Sequence, residues 1–539
     1  MTNKPNIILI LVDDMGYSDI GCYGGEIDTP NLDTLGHRGF RFTQFYNTAK
    51  CSPSRASLLT GLHPHQVGMG VLAYSGMQNV PEPPDGYVGN LSKDCVLIPE
   101  VLKEAGYKTY LSGKWHLSND VNNEDDTWPR ARGFDHHYGN ISGATSYFYP
   151  CKMWRDGVNV EDEALNDPDF YYTDAISDQA CKYIEQHVEN DGEKPFFMYV
   201  AYTCPHWPLH AKENDLEKYR GHYAEGWDEL RKNRLERLRS MGVLNKSWQL
   251  SPSDAYFTWD DLEDDEKRWF ESRMEAYAAM IDCMDQGVGR IVSKLKEKNI
   301  FDDTLVIFLS DNGASAEEIG DQSKKWVGTG VFRAKTRDGR PIQFGCNDDI
   351  KPGGEETHQS YGRQWANLSN TPFRLYKSSI HEGGISTPLI FHWPNGSVPR
   401  AGVSHEPTQL MDIMPTICEI AGATYPEEYK GNKIQPCEGK SLVPCFSDKK
   451  PGKERLWWEH QDSGGVREKN WKLVRFRTGP WELYDMYDDR TELKDVSKDH
   501  EDKVSAMSSK WKEIADKVKV LPTGEIAMIK AKYRENKLK

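Results

Sequence analysis

Four apolar runs constrain this chain more than any other feature. Asn6-Ile7-Ile8-Leu9-Ile10-Leu11-Val12 is almost continuously apolar and stops at Asp13-Asp14. Thr304-Leu305-Val306-Ile307-Phe308-Leu309-Ser310 stops at Asp311-Asn312-Gly313, and Phe196-Phe197-Met198-Tyr199-Val200-Ala201-Tyr202 runs into Thr203-Cys204-Pro205-His206. Pro388-Leu389-Ile390-Phe391-His392 is the fourth. A strand that is apolar at every position, not every second one, is buried on both faces, as in a parallel sheet covered by helices. Helical patterns between the runs supply the cover: Met274, Tyr277, Met280, Ile281 and Val288 within 273–296, and a second pattern across 408–421. The alternation predicts an α/β fold with a large mixed, mostly parallel sheet flanked by helices.

A chain of 539 residues exceeds one ordinary core. Its texture changes near residue 425, where short strand-like pieces (455–459, 471–475, 481–484) precede a helical stretch at 502–518. A large domain over residues 1–425 and a small α+β domain over 426–539, an antiparallel sheet with one helix, are expected. The highly charged segment 215–265 reads equally as a helical insertion or a lid. Acidic residues outnumber basic ones, 83 to 67, for a net charge of −16. That balance disfavours nucleic acid or an anionic membrane as partner, but a local positive pocket for a small anion is compatible with it. The apolar run near the start is too short to span a bilayer and lacks the flanks of an export signal, so a cytoplasmic location is expected. The 11 cysteines are scattered, with no Cys-x-x-Cys pair, which points to reduced, mostly buried thiols.

In α/β sheets, sites form beyond the carboxyl ends of the strands. Asp13 and Asp14 follow one run, Asp311 and Asn312 another. If those strands are neighbours, three carboxylates and an amide converge and repel unless a cation sits among them. An all-oxygen set selects a hard cation, Ca²⁺ or Mg²⁺. Turn and cap chemistry explains either pair alone, but less readily both at two strand ends. A second signal is Cys51-Ser52-Pro53-Ser54-Arg55. Pro53 suits the first turn of a helix that Ala56 to Thr60 continue as far as Gly61. Cys51 then stands at a helix N-terminus, which favours an anion, with Arg55 one turn further on. On spacing alone this is either a helix start with a buried thiol and a solvated guanidinium, or a thiolate nucleophile beside a cation.

The segment Cys51-Ser52-Pro53-Ser54-Arg55-Ala56-Ser57-Leu58-Leu59-Thr60-Gly61 resembles the signature of the type I, formylglycine-dependent sulfatases of the alkaline phosphatase superfamily. The resemblance spans nearly the whole chain, through Asn6 to Asp14, Gly113-Lys114-Trp115-His116, Pro205-His206-Trp207-Pro208, Ser310-Asp311-Asn312-Gly313, and Lys377 with Glu382-Gly383-Gly384. In character it is similar to bacterial arylsulfatases. It implies an alkaline-phosphatase-like fold. It also implies that a maturation enzyme oxidises Cys51 to formylglycine (3-oxoalanine), whose hydrate is the nucleophile. Asp13, Asp14, Cys51, Asp311 and Asn312 would surround the metal, Ca²⁺ before Mg²⁺. Arg55 and Lys114 would hold and polarise the hydrate, Lys114 also touching the sulfate. His116 would take a proton from the hydrate as sulfate is released. His206 and Lys377 would bind the sulfate and assist the leaving oxygen, with His460 reaching in from the small domain. His63, His65 and His381 are further candidates for the pocket wall.

The implied reaction is hydrolysis of a small anionic sulfate ester, an aryl sulfate first and a sugar sulfate second. A phosphonate monoester or phosphodiester hydrolase of the same superfamily is the runner-up; such relatives tend to carry Asp-His where this chain has Asp311-Asn312. A silent metal-binding protein, with Cys51 never converted, is a third reading. Leaving-group selectivity is expected in the loops 70–94, 138–154 and 326–361 and the charged insertion; Tyr147, Phe148, Tyr149 and Trp154 read equally as an aromatic wall for a phenyl ring or sugar face and as ordinary core. One departure from the family pattern is Ser386, where arginine often follows Gly-Gly-Ile. Oligomeric state is not legible.

Overall fold

The computed structural model describes residues 4–254, 257–320, 324, 327, 331–348, 350–447 and 449–537. The large sheet takes its strands from the apolar runs and their neighbours: β1 (Asn6–Val12), β2 (Phe40–Phe42), β3 (Lys108–Gly113), β4 (His136–Asn140), β5 (Met153–Arg155), β6 (Val158–Asn159), β7 (Phe196–Ala201), β8 (Thr304–Ser310), β9 (Leu389–His392) and β10 (Gly402–Ser404). Their order across the sheet is β10-β2-β9-β8-β1-β7-β3-β4-β5-β6. The five central strands, β8-β1-β7-β3-β4, are mutually parallel. β9 is antiparallel to both its neighbours, so the fourth apolar run is buried without being parallel. The mixed, mostly parallel α/β sheet expected from the sequence is the one observed.

Helices cover both faces. They include α1 (Pro30–Arg38), α2 (Cys51–Thr60), α3 (Tyr172–Asp191), α4 (Gly226–Ser240), α5 (Asp264–Glu297) and α6 (Ile413–Ala421). β1 separates two cores: Ile8, Ile10 and Val12 face α3 and α5, whereas Ile7, Leu9 and Leu11 face α2 and α6. Strict alternation of sides within an all-apolar strand is what burial on both faces requires. α5 begins nine residues before the periodic stretch, at Asp264, where acidic residues fill its first turn. The pattern at 408–421 is α-helical only from Ile413, after a 3-10 turn at Leu410–Asp412. Thr408 and Gln409 instead pair in parallel with Phe45 and Tyr46, and Gln409 N–H donates to Asp412.

The charged insertion is helical in part, over Glu213–Glu217 and Gly226–Ser240. Arg234 of α4 is buried and bridges Asp19 at 2.9 Å and Glu26 at 2.6 Å, so this guanidinium faces the main sheet's loops, while Glu229, Lys232 and Glu236 of the same helix stay exposed. The C-terminal sheet has four antiparallel strands, β11 (Arg455–His460), β12 (Ser463–Glu468), β13 (Trp471–Arg475) and β14 (Glu482–Asp485), covered by α7 (Glu501–Lys517). Sequence periodicity misses β12 because Gly464 and Gly465 read as a turn. Their bareness is steric: a Cβ on Gly464 would lie 2.8 Å from the Trp511 ring, and one on Gly465 2.6 Å from Ile380. All 11 cysteines are free. No described helix is long and apolar enough to cross a membrane.

Candidate functional site

The register of the central strands brings the chemistry together. Val12 pairs with Ser310, so Asp13-Asp14 and Asp311-Asn312 leave adjacent strands at one level. Lys114 and His116 follow β3, His206 follows β7, and Cys51 opens α2 with its side chain 2% exposed. Ligand atoms of Asp13, Asp14, Cys51 and His206 lie within 4.8 Å of one another. Asp311 joins this group by accepting the Asp14 backbone N–H at 3.3 Å, and Asn312 Nδ2 donates to Asp14 Oδ1 at 2.6 Å. Asp14 and His116 adopt left-handed φ of 67° and 59°, a cost that non-glycine residues bear where surrounding structure fixes them.

Three buried cations interleave with the carboxylates. Arg55 donates through Nε and Nη2 to Asp311 Oδ2, at 3.2 and 2.9 Å, and lies 3.8 Å from Asp13. Lys114 donates to Asp13 Oδ2, and Lys377 to Asp14 Oδ2 at 2.7 Å. The guanidinium is thus not the solvated one that spacing allows. Burial works to raise the Asp13 pKa, but Lys114, His206, Arg55 and Lys377 outweigh it and hold the carboxyl well below its usual range. Burial, then Asp13 itself, pushes Asp311 up to about 7. Two such neighbours cannot both ionise comfortably without further positive charge. Asp13 Oδ1 and Asn312 Oδ1 are buried with no hydrogen-bond partner among the described residues. Oxygen atoms left bare beside crowded carboxylates are what a cation would satisfy.

Burial also pushes the Cys51 thiol up to about 12, opposite to what a thiolate nucleophile needs. Lys377 is driven well above its usual value by Asp14, Cys51 and Glu317, against the effect of burial. Burial, then Lys114 and Arg55, holds His116 well below the usual histidine range. Its Nδ1 has no partner, and a Cβ on Gly143 would lie 2.4 Å from its Nε2, so the 138–154 loop closes directly over the ring. His206 is lowered too, mainly by burial. Its Nδ1 lies 2.7 Å from the Trp207 carbonyl, which only accepts, so that nitrogen carries the proton; Nε2 lies 3.5 Å from Asp14 Oδ2.

The outlying candidates divide. His460 is buried at the end of β11 with Nε2 unpartnered, and burial, then Lys50, His65 and Lys377, pushes it down to about 3. His65 pairs with Glu459 at 2.7 Å, and His63 packs edge-on against Trp457. His381 does not line the site: it sits at the seam with the C-terminal sheet, bonded to Ser379 and Glu482. Of the four aromatic-wall candidates, Tyr149 lines a cavity with Pro208, Phe332 and His358, and Tyr147 and Trp154 pack internally. Tyr147 is buried and donates to the Thr203 and His206 carbonyls, which braces the His206 loop. Trp154 packs on Trp128, and Arg333 stacks over Tyr149. Loop 70–94 is covered by the chain's end, with Leu521, Ile526 and Ile529 against Val71, Met77 and Tyr87. In the 326–361 region, Trp326 lies outside the described residues. Ser386 is explained: Arg490 donates to its hydroxyl at 2.7 Å and to Glu382 at 2.8 Å, so a guanidinium delivered from 104 residues away occupies the place.

A parallel sheet ending in paired acidic residues, met by a helix N-terminus and buried cations, has the alkaline-phosphatase-like architecture. Comparison with known proteins narrows this. The sulfatase family model matches residues 5–423, and the model of the N-sulphoglucosamine sulphohydrolase C-terminal region matches residues 373–519. An uncharacterized sulfatase of Schizosaccharomyces pombe is 33% identical, covering 95% of this chain and 93% of its own. An arylsulfatase of Klebsiella aerogenes is 31% identical over 81% of this chain and 91% of its own. The crystal structure of Ps i-CgsB superposes with a TM-score of 0.66 at 26% identity, covering 95% of this chain and 93% of that one. The chain belongs to the sulfatase family, and its activity is hydrolysis of sulfate esters.

Proposed function

We propose that this protein cleaves aryl or sugar sulfate monoesters through a formylglycine made from Cys51, in a catalytic domain spanning about residues 1–425 with residues 426–539 packed on it. The observation that carries this is the pair of bare buried oxygens, Asp13 Oδ1 and Asn312 Oδ1, facing a site where Cys51 opens a helix beside Arg55, Lys114 and Lys377. Asp13, Asp14, Asp311, Asn312 and residue 51 would hold a divalent cation, Ca²⁺ before Mg²⁺, by the hardness of their oxygens. When bound, the cation supplies positive charge for the sulfuryl oxygens, and the aldehyde hydrate at position 51 supplies the attacking hydroxyl.

The chain's own residues do the rest. Arg55 and Lys114, fixed by Asp311 and Asp13, orient the hydrate and counter charge on it. Lys377, kept charged by Asp14, and His206 hold the ester and stabilise the departing oxygen, Lys377 donating its proton. His116, neutral at physiological pH, takes the proton of the second hydroxyl as the carbonyl re-forms and sulfate leaves. His460 would contact the bound ester from the C-terminal sheet. Asn rather than His at position 312 and the sulfatase relatives support sulfate over phosphonate or phosphodiester. Sulfate release from 4-nitrophenyl sulfate by protein co-produced with a formylglycine-generating enzyme tests the reading; no release from converted protein would reject it.

A further inference from the structure

Three side chains that no motif singled out for a role meet beside Cys51. Lys50 directly precedes it, Trp207 follows His206, and Glu317 lies six residues beyond Asp311. Lys50 Nζ is 3.0 Å from Glu317 Oε1, and Trp207 Nε1 donates to Glu317 Oε2 at 2.8 Å. Ser360 Oγ donates to the Glu317 carbonyl, pinning that loop from behind. The Glu317 side chain is 41% exposed while that of Lys50 is 10% exposed, so the carboxylate is fixed in direction yet open on one flank. Lys377 and His206 act on the same carboxylate: against its partial burial, Lys50, Lys377 and His206 hold it ionised.

A carboxylate this near the place of an anionic ester weakens binding of the sulfuryl group. It is tolerable where it recognises another part of the substrate, and its neighbours say which part. Lys377 and His206 are the groups assigned above to the departing oxygen, so Glu317 flanks the leaving group. Among the described residues each of its oxygens has one partner, which leaves each a second lone pair. Hydroxyl or ammonium donors fit there; a second carboxylate or sulfate is repelled. The Trp207 ring packs among His206 at 4.5 Å, Phe332 at 5.8 Å and His358 at 5.6 Å, so the N–H that holds Glu317 comes from a fixed ring. We propose that Glu317, braced by Lys50 and Trp207, selects the leaving group, and that this group is a hydroxylated ring without further anionic substituents: a monosulfated neutral or amino sugar. The inference rests on the sulfatase reading of the Cys51 centre and names that site's substrate class.

The test compares kcat/KM of converted full-length enzyme on glucose and galactose monosulfates with kcat/KM on 4-nitrophenyl sulfate, which lacks hydroxyl donors. Glu317→Gln is expected to lower the ratio of the best sugar substrate to the aryl substrate about 30-fold, the scale of a hydrogen bond to a charged group. Trp207→Phe, which keeps a ring but removes the bracing N–H, should lower it about 5-fold. A ratio unchanged in both variants overturns the proposal, since a merely structural Glu317 would depress both substrates alike. So does a wild-type enzyme that turns over the aryl ester and none of the sugar sulfates. Failure on both substrate classes would instead reject the sulfatase mechanism itself, and this inference with it.

Discussion

Two buried charged clusters flank the loop from Lys377 to Ile385, and they are finished to different degrees. At the seam with the C-terminal sheet, Lys472 bridges Glu382 and Glu492 at 2.8 and 2.7 Å, Arg490 donates to Glu382, Ser386 and the Thr43 carbonyl, and Tyr46 completes the second Glu382 oxygen. Glu492 Oε2 accepts the Glu382 backbone N–H. Each polar side-chain atom of Glu382, Glu492, Lys472 and Arg490 has a partner. At the Cys51 centre, equally buried, Asp13 Oδ1, Asn312 Oδ1 and His116 Nδ1 have none. A saturated network holds two parts of a fold together; one with bare atoms of matched chemistry is built to receive something.

That contrast can be broken or sharpened by experiment. Cys51→Ala should abolish sulfate release with little change in melting temperature, as measured by ion chromatography and calorimetry; retained turnover would remove the centre's assigned role. Lys377→Ala should lower kcat/KM by roughly 10²–10³-fold, the range for losing one preorganised charge, with the protein still folded. At the seam the expected effect is on stability instead. Lys472→Met leaves Glu382 and Glu492 buried without their cation and should cost about 3–5 kcal/mol in denaturant unfolding. A loss below about 1 kcal/mol would mean that the seam is not load-sharing. Chelation should lower the melting temperature of the wild type by the equivalent of about 2–3 kcal/mol at a hundredfold saturation, and leave the Asp13→Ala variant unaffected.

The smallest effect is on pH. Lys472, Arg490 and Arg467 outweigh burial and hold Glu382 at about 2 in the folded chain, against 4.5 for a free glutamate. Its stabilisation is therefore full above pH 4.5 and fades as pH falls towards 2. The stability gap between wild type and Glu382→Gln should narrow through that window and stay constant above it. A gap independent of pH would show that the charge of Glu382 contributes nothing.

Much of this was readable in the sequence because it depends on burial alone. All-apolar runs mark central strands regardless of partner, and Asp pairs at their ends mark the site edge. The helix at Cys51 was legible from Pro53 and Gly61, which sits at φ +74° as the helix's C-cap. What was not legible depends on distant partners. β12 hides behind two glycines whose purpose is clearance for Trp511 and Ile380. Arg490 replaces the arginine absent at Ser386, a substitution across 104 residues that no local window contains. His381 precedes a family motif yet belongs to the seam, and Glu317 meets Lys50 across 267 residues of sequence.

The state of residue 51 decides the mechanism most directly. Tandem mass spectrometry of the peptide spanning Cys51, from protein made with and without a formylglycine-generating enzyme, should find the aldehyde or its hydrate in proportion to the specific sulfatase activity of each preparation. Full activity in protein whose position 51 is entirely unmodified thiol would contradict it.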